Sequence, residues 1–140
     1  SVSVQLECED TSDTSTLVDP IQIQQVLVNL IRNAAQAVEF RPVGQRRVTI
    51  ETDHLGTAVE IHVKDNGEGF PDHFDVAARS LQSTKPDGLG LGISISRGII
   101  EAHGGKLLAA NQPDGGARVT VLLPVHEPNC RLEPADRLCC

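Results

Sequence analysis

Three small groups of residues carry side chains or backbone freedom that chemistry could use. The first is Asn29 and Asn33, four residues apart, with Gln36 three further on. Residues at i and i+4 of a helix share a face, so a helix over this segment sets the two amides in a row beside its apolar stripe. Two solvent-facing amides would show the same spacing. Asn is a mediocre helix former, however, and a row of amides on an otherwise apolar helix suggests a polar task. An amide oxygen is a hard ligand, suited to a magnesium ion that keeps several waters and bridges phosphates.

The second group is Asp65, Gly67 and Gly69, a DxGxG run at the end of Val59-Glu60-Ile61-His62-Val63-Lys64. Asp65 shares the parity of Val59, Ile61 and Val63, so in a strand it points inward. A buried carboxylate without a donor costs several kcal/mol. Asp65 therefore either lies past the sheet edge, as a turn-starting Asp before Asn66-Gly67, or meets a donor such as the exocyclic amino group of adenine. The glycines permit sharp turns and close approach of a flat ring to backbone.

The third group is Gly88, Gly90 and Gly92, a GxGxG run that leads into an apolar helical pattern. The free amides and positive dipole end of a helix N-terminus attract anions. A dinucleotide fingerprint would need a strand just before it, and residues 80–87 read as loop. A phosphate-gripping loop fits better. Thr84 and Lys85 lie just upstream, in Ser83-Thr84-Lys85-Pro86. Lys85 either reaches the terminal phosphates or is a solvated surface lysine.

The elements that must position these groups follow from periodicity. Val2, Val4 and Leu6 alternate with polar residues as in a half-buried strand, and residues 8–16 read as a loop. Asp19 caps a helix with Pro20 in its first turn. Its apolar positions Ile23, Val26, Leu27, Leu30, Ile31, Ala34 and Val38 run on until Pro42 and Gly44. Residues 47–52 and 58–64 alternate around His54-Leu55-Gly56, which predicts an antiparallel hairpin. A loop-rich stretch over 65–90 precedes a second helix over 91–102, which Gly104-Gly105 stops. Residues 106–110 and 118–123 pair around Pro113-Asp114-Gly115-Gly116. Strands on one side and helices on the other predict an α+β two-layer sandwich with a mixed, mainly antiparallel sheet. It forms one domain over 1–124, followed by a flexible or loosely packed tail over 125–140.

Bulk properties narrow the function. A chain of 140 residues suits one domain. A net charge of -7 argues against a nucleic-acid surface, yet a single nucleotide can be held by backbone amides, one lysine and a magnesium ion. Cys8, Cys130, Cys139 and Cys140 show no zinc-ligand spacing and read as free thiols of a reducing compartment. With no 18-residue apolar run and no signal-peptide pattern, a cytoplasmic location is expected, without membrane contact by this domain.

The order and spacing of the three groups resemble a known family. QVLVNLIRNAAQAV (Gln25 to Val38), VKDNGEGF (Val63 to Phe70) and STKPDGLGLGISISRGIIEAHGGKL (Ser83 to Leu107) look like the N, G1 and G2 boxes of sensor histidine kinase ATP-binding domains. That family shares a Bergerat-type fold with the ATPase domains of gyrase, the 90-kDa heat-shock chaperone and mismatch-repair proteins. The likeness spans Val18 to Pro124, and the short Thr-Lys-Pro-Asp-Gly lid is most similar to oxygen-sensing and dicarboxylate-sensing kinases. It implies ATP and Mg2+ as cofactors. By that resemblance Asn33 binds the metal, Asn29 contacts phosphate or metal-bound water, and Asp65 reads adenine with Gly67 and Gly69 beside it. Thr84, Lys85, Gly88, Leu89, Gly90, Leu91 and Gly92 then belong to a flexible lid over the phosphates, with Asn29, Asn33 and Lys85 as the catalytic set.

The resemblance also implies γ-phosphoryl transfer to a histidine on an upstream dimerisation domain, with a response regulator as the next partner and this domain monomeric when isolated. Two other functions on the fold are a serine kinase of the anti-sigma type and a degenerate interaction domain. The related ATPases place a Glu general base where this chain has Asn29, and an amide is no useful base near neutral pH, so slow hydrolysis is expected. Gln36 replaces a phosphate-contacting Lys of many relatives, which passes that charge to Lys85. Ala78 and Leu81 stand where phenylalanines are common before the lid. None of His54, His62, His73, His103 or His126 lies in the family's phosphoacceptor pattern.

Overall fold

A computed structural model describes residues 1–8, 15–71 and 89–125, with the backbone alone for 89–91. Its elements in chain order are β1 (Ser3–Cys8), α1 (Pro20–Ala37), β2 (Arg47–His54), β3 (Ala58–Asp65), α2 (Leu89–Ala102), β4 (Lys106–Asn111) and β5 (Ala117–Pro124). The strands form one five-stranded sheet in the order β1-β2-β3-β5-β4. Only β1 and β2 run parallel, and the other three pairs are antiparallel. A parallel pair needs a long crossover, and α1 lies on that crossover.

Both helices pack on one face of the sheet. Helix α1 starts where the Asp19 carboxylate accepts from the amides of Ile21 (2.9 Å) and Gln22 (3.3 Å), with Pro20 at its first position. It buries Ile23, Val26, Leu30 and Ala34, the one-sided stripe that its sequence predicts. Helix α2 contributes Ile93, Ser96 and Ile100. Sheet residues Val48, Val63, Val121 and Leu123 close the same core. Each such side chain contributes about 1.5–3 kcal/mol when fully buried, so the aliphatic core needs no large aromatic residue.

His103 ties the helices together at their far ends. Its Nδ1 donates to the Ile99 carbonyl (2.7 Å), and its Nε2 accepts from the amide of Asp19 (3.1 Å). The α1 cap and the end of α2 thus share one side chain.

Three expectations are corrected. The first strand is not half-buried: Val4 and Leu6 are 56% and 67% exposed. β1 is an edge strand bonded to β2 alone, and it lies past the cover that α1 gives β2 and β3. Only Val2, just before it, packs against the core. Second, β3 runs through Asp65, which pairs with Val48 across the sheet, so Asp65 ends a strand rather than opening a loop. Third, α2 begins at Leu89, two residues before the expected start at 91, so Leu89 and Gly90 belong to its first turn rather than to the preceding loop. Packing against α1 outweighs the poor helix propensity of the glycines. The tail from 126 lies outside the described residues, as does the 72–88 segment that holds Ala78 and Leu81.

Candidate nucleotide site

Asp65 is buried, 7% exposed, at the end of β3. Its Oδ1 accepts from the amides of Gly67 (2.8 Å) and Ala117 (3.2 Å). The bond from Gly67, two residues on, is that of a turn-starting Asp, the first of the two expected readings, and together with Ala117 it fixes the carboxylate's orientation. Burial raises its pKa above the ordinary 3.8, opposed by the bonds from Gly67 and Ala117. The backbone carbonyl of Asp65 accepts from Gln112 Nε2 (2.8 Å), an amide that also reaches the Ala117 carbonyl (3.1 Å). Gly116, at φ +86°, lies so close under that carbonyl that no side chain could stand there. The β4–β5 turn is thus a floor beneath the end of β3.

The glycines of DxGxG are required by the protein's own packing. A Cβ on Gly67 would stand 2.5 Å from the Ala37 carbonyl at the end of α1 and 2.9 Å from Asp65 Oδ1. Gly69 has φ +80°, and a Cβ there would meet Asn111 Oδ1 at 2.6 Å. Asn111 holds the next residue from both sides: its Oδ1 accepts from the Phe70 amide (2.6 Å), and its Nδ2 donates to the Phe70 carbonyl (2.9 Å). That pair anchors the chain just before the 72–88 segment.

Asn29 and Asn33 lie half-buried beside the apolar stripe of α1, as their spacing predicts, whereas Gln36 is exposed. The Asn29 amide donates to Ser96 Oγ of α2 (3.0 Å). A Cβ on Gly92 would stand 2.8 Å from both terminal atoms of that amide. The small residues Gly92 and Ser96, one turn apart, thus make room for Asn29 between the helices. Asn33 differs in one respect: its Nδ2 is buried and finds no hydrogen-bond partner among the described residues. An unmatched buried amide costs on the order of 1–3 kcal/mol.

A cleft of about 450 Å³ opens between α1 and α2, rimmed by Asn29, Arg32, Gly92 and Ser96 and by apolar Ile21, Val28 and Ile95. Asp65 rims a different hollow of about 330 Å³ with Asn66, Gln112 and Asp114. The candidates are therefore joined along a helix rather than around one of these hollows. Asn29, Asn33 and Ala37 follow at i, i+4 and i+8 of α1, meeting Gly92 at one end and Gly67 beside Asp65 at the other. Eight residues of helix span about 12 Å. The α2 N-terminus, with free amides that include those of Leu89, Gly90 and Leu91, lies at the Asn29 end. Thr84, Lys85 and Gly88 fall outside the described residues.

Sequence reasoning missed Ser96, Asn111, Gln112 and Gly116. Ser96 carried a signal, since it sits one turn from Gly92 in an apolar helix. The other three lie at the end of β4 and in the turn after it, which only the strand order brings beside Asp65 and Phe70.

The donor set fits a magnesium nucleotide in three respects: a buried amide without a partner at Asn33, a carboxylate pre-oriented by backbone at Asp65, and a glycine-opened helix start beside Asn29. Each is a feature of the protein's own atoms.

Comparison with known proteins gives the same direction. The sensor protein FixL of Bradyrhizobium diazoefficiens is 45% identical over 118 residues, which cover 81% of this chain and 22% of FixL. The C4-dicarboxylate transport sensor protein DctS of Rhodobacter capsulatus is 42% identical over 111 residues, 76% of this chain and 16% of DctS. The chain thus spans less than a quarter of the length of these two relatives. Among solved structures, the nucleotide-free catalytic domain of histidine kinase ThkA superposes with a TM-score of 0.73 at 30% identity, over 88% of this chain and 78% of that one. ThkA in complex with the response regulator protein TrrA gives 0.72 at 29% identity, over 90% of this chain and 35% of that one. Residues 18–127, most of the sequence, match the family described as histidine kinase-, DNA gyrase B- and HSP90-like ATPase. With that match, and with a 45% identical sensor protein covering four-fifths of its length, the chain belongs to the histidine kinase-, DNA gyrase B- and HSP90-like ATPase family.

Proposed function

We propose that this domain binds Mg-ATP and donates the γ-phosphoryl group to a histidine on a separate dimerisation domain, as the catalytic part of a two-component sensor kinase. The observation that carries this reading is the α1 edge, where Asn29, Asn33 and Ala37 line up between the α2 N-terminus and the Asp65 carboxylate. That span suits a purine at one end and a triphosphate at the other.

In this scheme Asp65 accepts from the adenine amino group, its orientation set beforehand by Gly67 and Ala117. The glycines at 67 and 69 keep the floor of that end free of side chains. Asn33 Oδ1 faces the metal while its Nδ2, otherwise unmatched, donates to a phosphate oxygen. Asn29 holds phosphate or metal-bound water, and the amides from Leu89 to Gly92 add donors from the helix start. Thr84, Lys85 and Gly88 complete the lid, with Lys85 supplying the positive charge that Gln36 does not. Magnesium, when bound, neutralises the phosphate oxygens. Catalysis is then mainly positioning and charge stabilisation, as is general for phosphoryl transfer. Asn29 is no general base, so ATP is held for transfer rather than hydrolysed. A cytoplasmic location follows from this role; separately, no helix among the described residues is long and apolar enough to cross a membrane. The response regulator completes the partner set by analogy with ThkA and TrrA.

The test is a titration with a non-hydrolysable ATP analogue, with and without magnesium, on the wild type and on Asn33→Ala. The wild type should bind more tightly with magnesium, and the variant should lose that increment while keeping metal-independent binding. An unchanged magnesium increment would remove Asn33 from the site.

A further inference from the structure

The face of the sheet turned away from the helices carries a second group of polar side chains, unconnected with the nucleotide site. Register places them. Asp53 of β2 stands directly opposite Glu60 of β3, and His62, two residues further along β3, stands opposite Thr120 of β5. Like charges directly opposite across an antiparallel pair are destabilising, so the Asp53–Glu60 pair needs a positive partner between its carboxylates.

His62 is aimed there. It is 7% exposed, and its Nδ1 is held 2.9 Å from Thr120 Oγ1. Its Nε2 lies 3.1 Å from Asp53 Oδ2 and 3.2 Å from Glu60 Oε2. The three atoms all lie within 4.8 Å of one another. The neighbouring Lys64 is committed to Glu51. We propose that Asp53, Glu60 and His62 form a binding site for a divalent transition-metal ion of the zinc class, with Thr120 as the positioning residue that orients the imidazole.

The distances support this. Ligands about 2.0–2.2 Å from zinc, at angles between right-angled and tetrahedral, stand roughly 3.0–3.5 Å apart, and both imidazole-to-carboxylate separations fall in that range. A small inward turn of the half-buried Asp53 side chain closes the third edge. One imidazole with two carboxylates suits zinc or its neighbours better than magnesium or calcium. When Nδ1 donates its proton to Thr120, the Nε2 lone pair points at the carboxylates, as a metal-bound histidine needs. A proton on Nε2 would supply one positive charge, whereas a divalent ion supplies two and engages all three atoms at once. The bound ion would pin β2 to β3 at the middle of the sheet.

Calorimetric titration of the 140-residue chain with zinc tests the site. Excess magnesium occupies weak carboxylate sites, and alkylation of all thiols removes the cysteines as competitors. One zinc per chain is expected, lost in His62→Gln and in the Asp53→Asn/Glu60→Gln double variant. Thr120→Val should bind about tenfold more weakly. The double variant relieves a like-charge pair and keeps the fold, which its circular dichroism melt checks. Cobalt should give the visible bands of nitrogen and oxygen ligands only in chains with the triad intact. No zinc uptake by the alkylated wild type overturns the proposal, as does uptake unchanged in both variants.

Discussion

Asp65 sits with one carboxylate oxygen held by two backbone amides and with burial raising its pKa above 3.8. The linkage has a definite sign. Because the folded pKa lies above the unfolded one, the native state binds more protons in the window between them, so stability falls as pH rises through that window. Asp65→Asn removes this titration while keeping an oxygen for Gly67 and Ala117. The stability of the variant relative to wild type should therefore grow with pH from below 3.8 upward, as thermal melts across acid to neutral pH would show. Binding of an ATP analogue should fall on the order of 10–100-fold, the worth of a hydrogen bond to a charged group. A variant that binds as wild type does would take Asp65 away from the adenine.

At the scale of elements, α1 and α2 meet through a side chain fitted against a glycine. Gly92→Ala should raise the intrinsic helix propensity of α2 by about 1 kcal/mol, yet its new methyl group would push Asn29 from its place beside Ser96. The Asn29 amide is the far end of a flexible side chain, so the fold should survive. The expected outcome is a melting temperature at or above that of wild type with nucleotide affinity reduced about tenfold. Reduced stability with unchanged affinity would place the helix contact outside the site. This is also the scale at which the sequence was most and least informative. Periodicity alone was enough for α1, whose stripe of Ile23, Val26, Leu30 and Ala34 has a capping Asp19 and a first-turn proline. The inward parity of Asp65 was equally plain, since alternation along β3 is a local property. The start of α2 was not, because glycine-rich sequence reads as loop and only the contact with Asn29 explains Gly92. Nor was the exposure of β1, which depends on its place at the sheet edge. Asn111 and Gln112 escaped notice for the same reason: β5 inserts between β3 and β4, and that order, invisible in local pattern, carries their turn beneath Asp65.

For the whole molecule, the question is where a phosphoryl group could go. The described histidines offer no acceptor beside the α1 edge. His62 lies on the opposite face of the sheet between Thr120 and two carboxylates, which would repel a phosphate. His103 has both ring nitrogens engaged at the junction of Asp19 and Ile99. His54 ends β2, next to the β2–β3 turn, at the end of the hairpin away from Asp65. The described histidines thus accord with the proposed transfer of the group outward, to a residue on another domain. The chain incubated alone with γ-labelled ATP should stay unlabelled and release phosphate slowly, because the helix position one turn before Asn33 holds an amide that donates to Ser96 rather than a carboxylate base. Addition of the dimerisation domain from the same full-length protein should transfer label to a histidine there, recognisable because phosphohistidine survives alkali and is lost in acid. Asn33→Ala should abolish that transfer while leaving the acceptor domain intact. Label on this chain, or on a serine of the partner, would assign the fold a different acceptor chemistry.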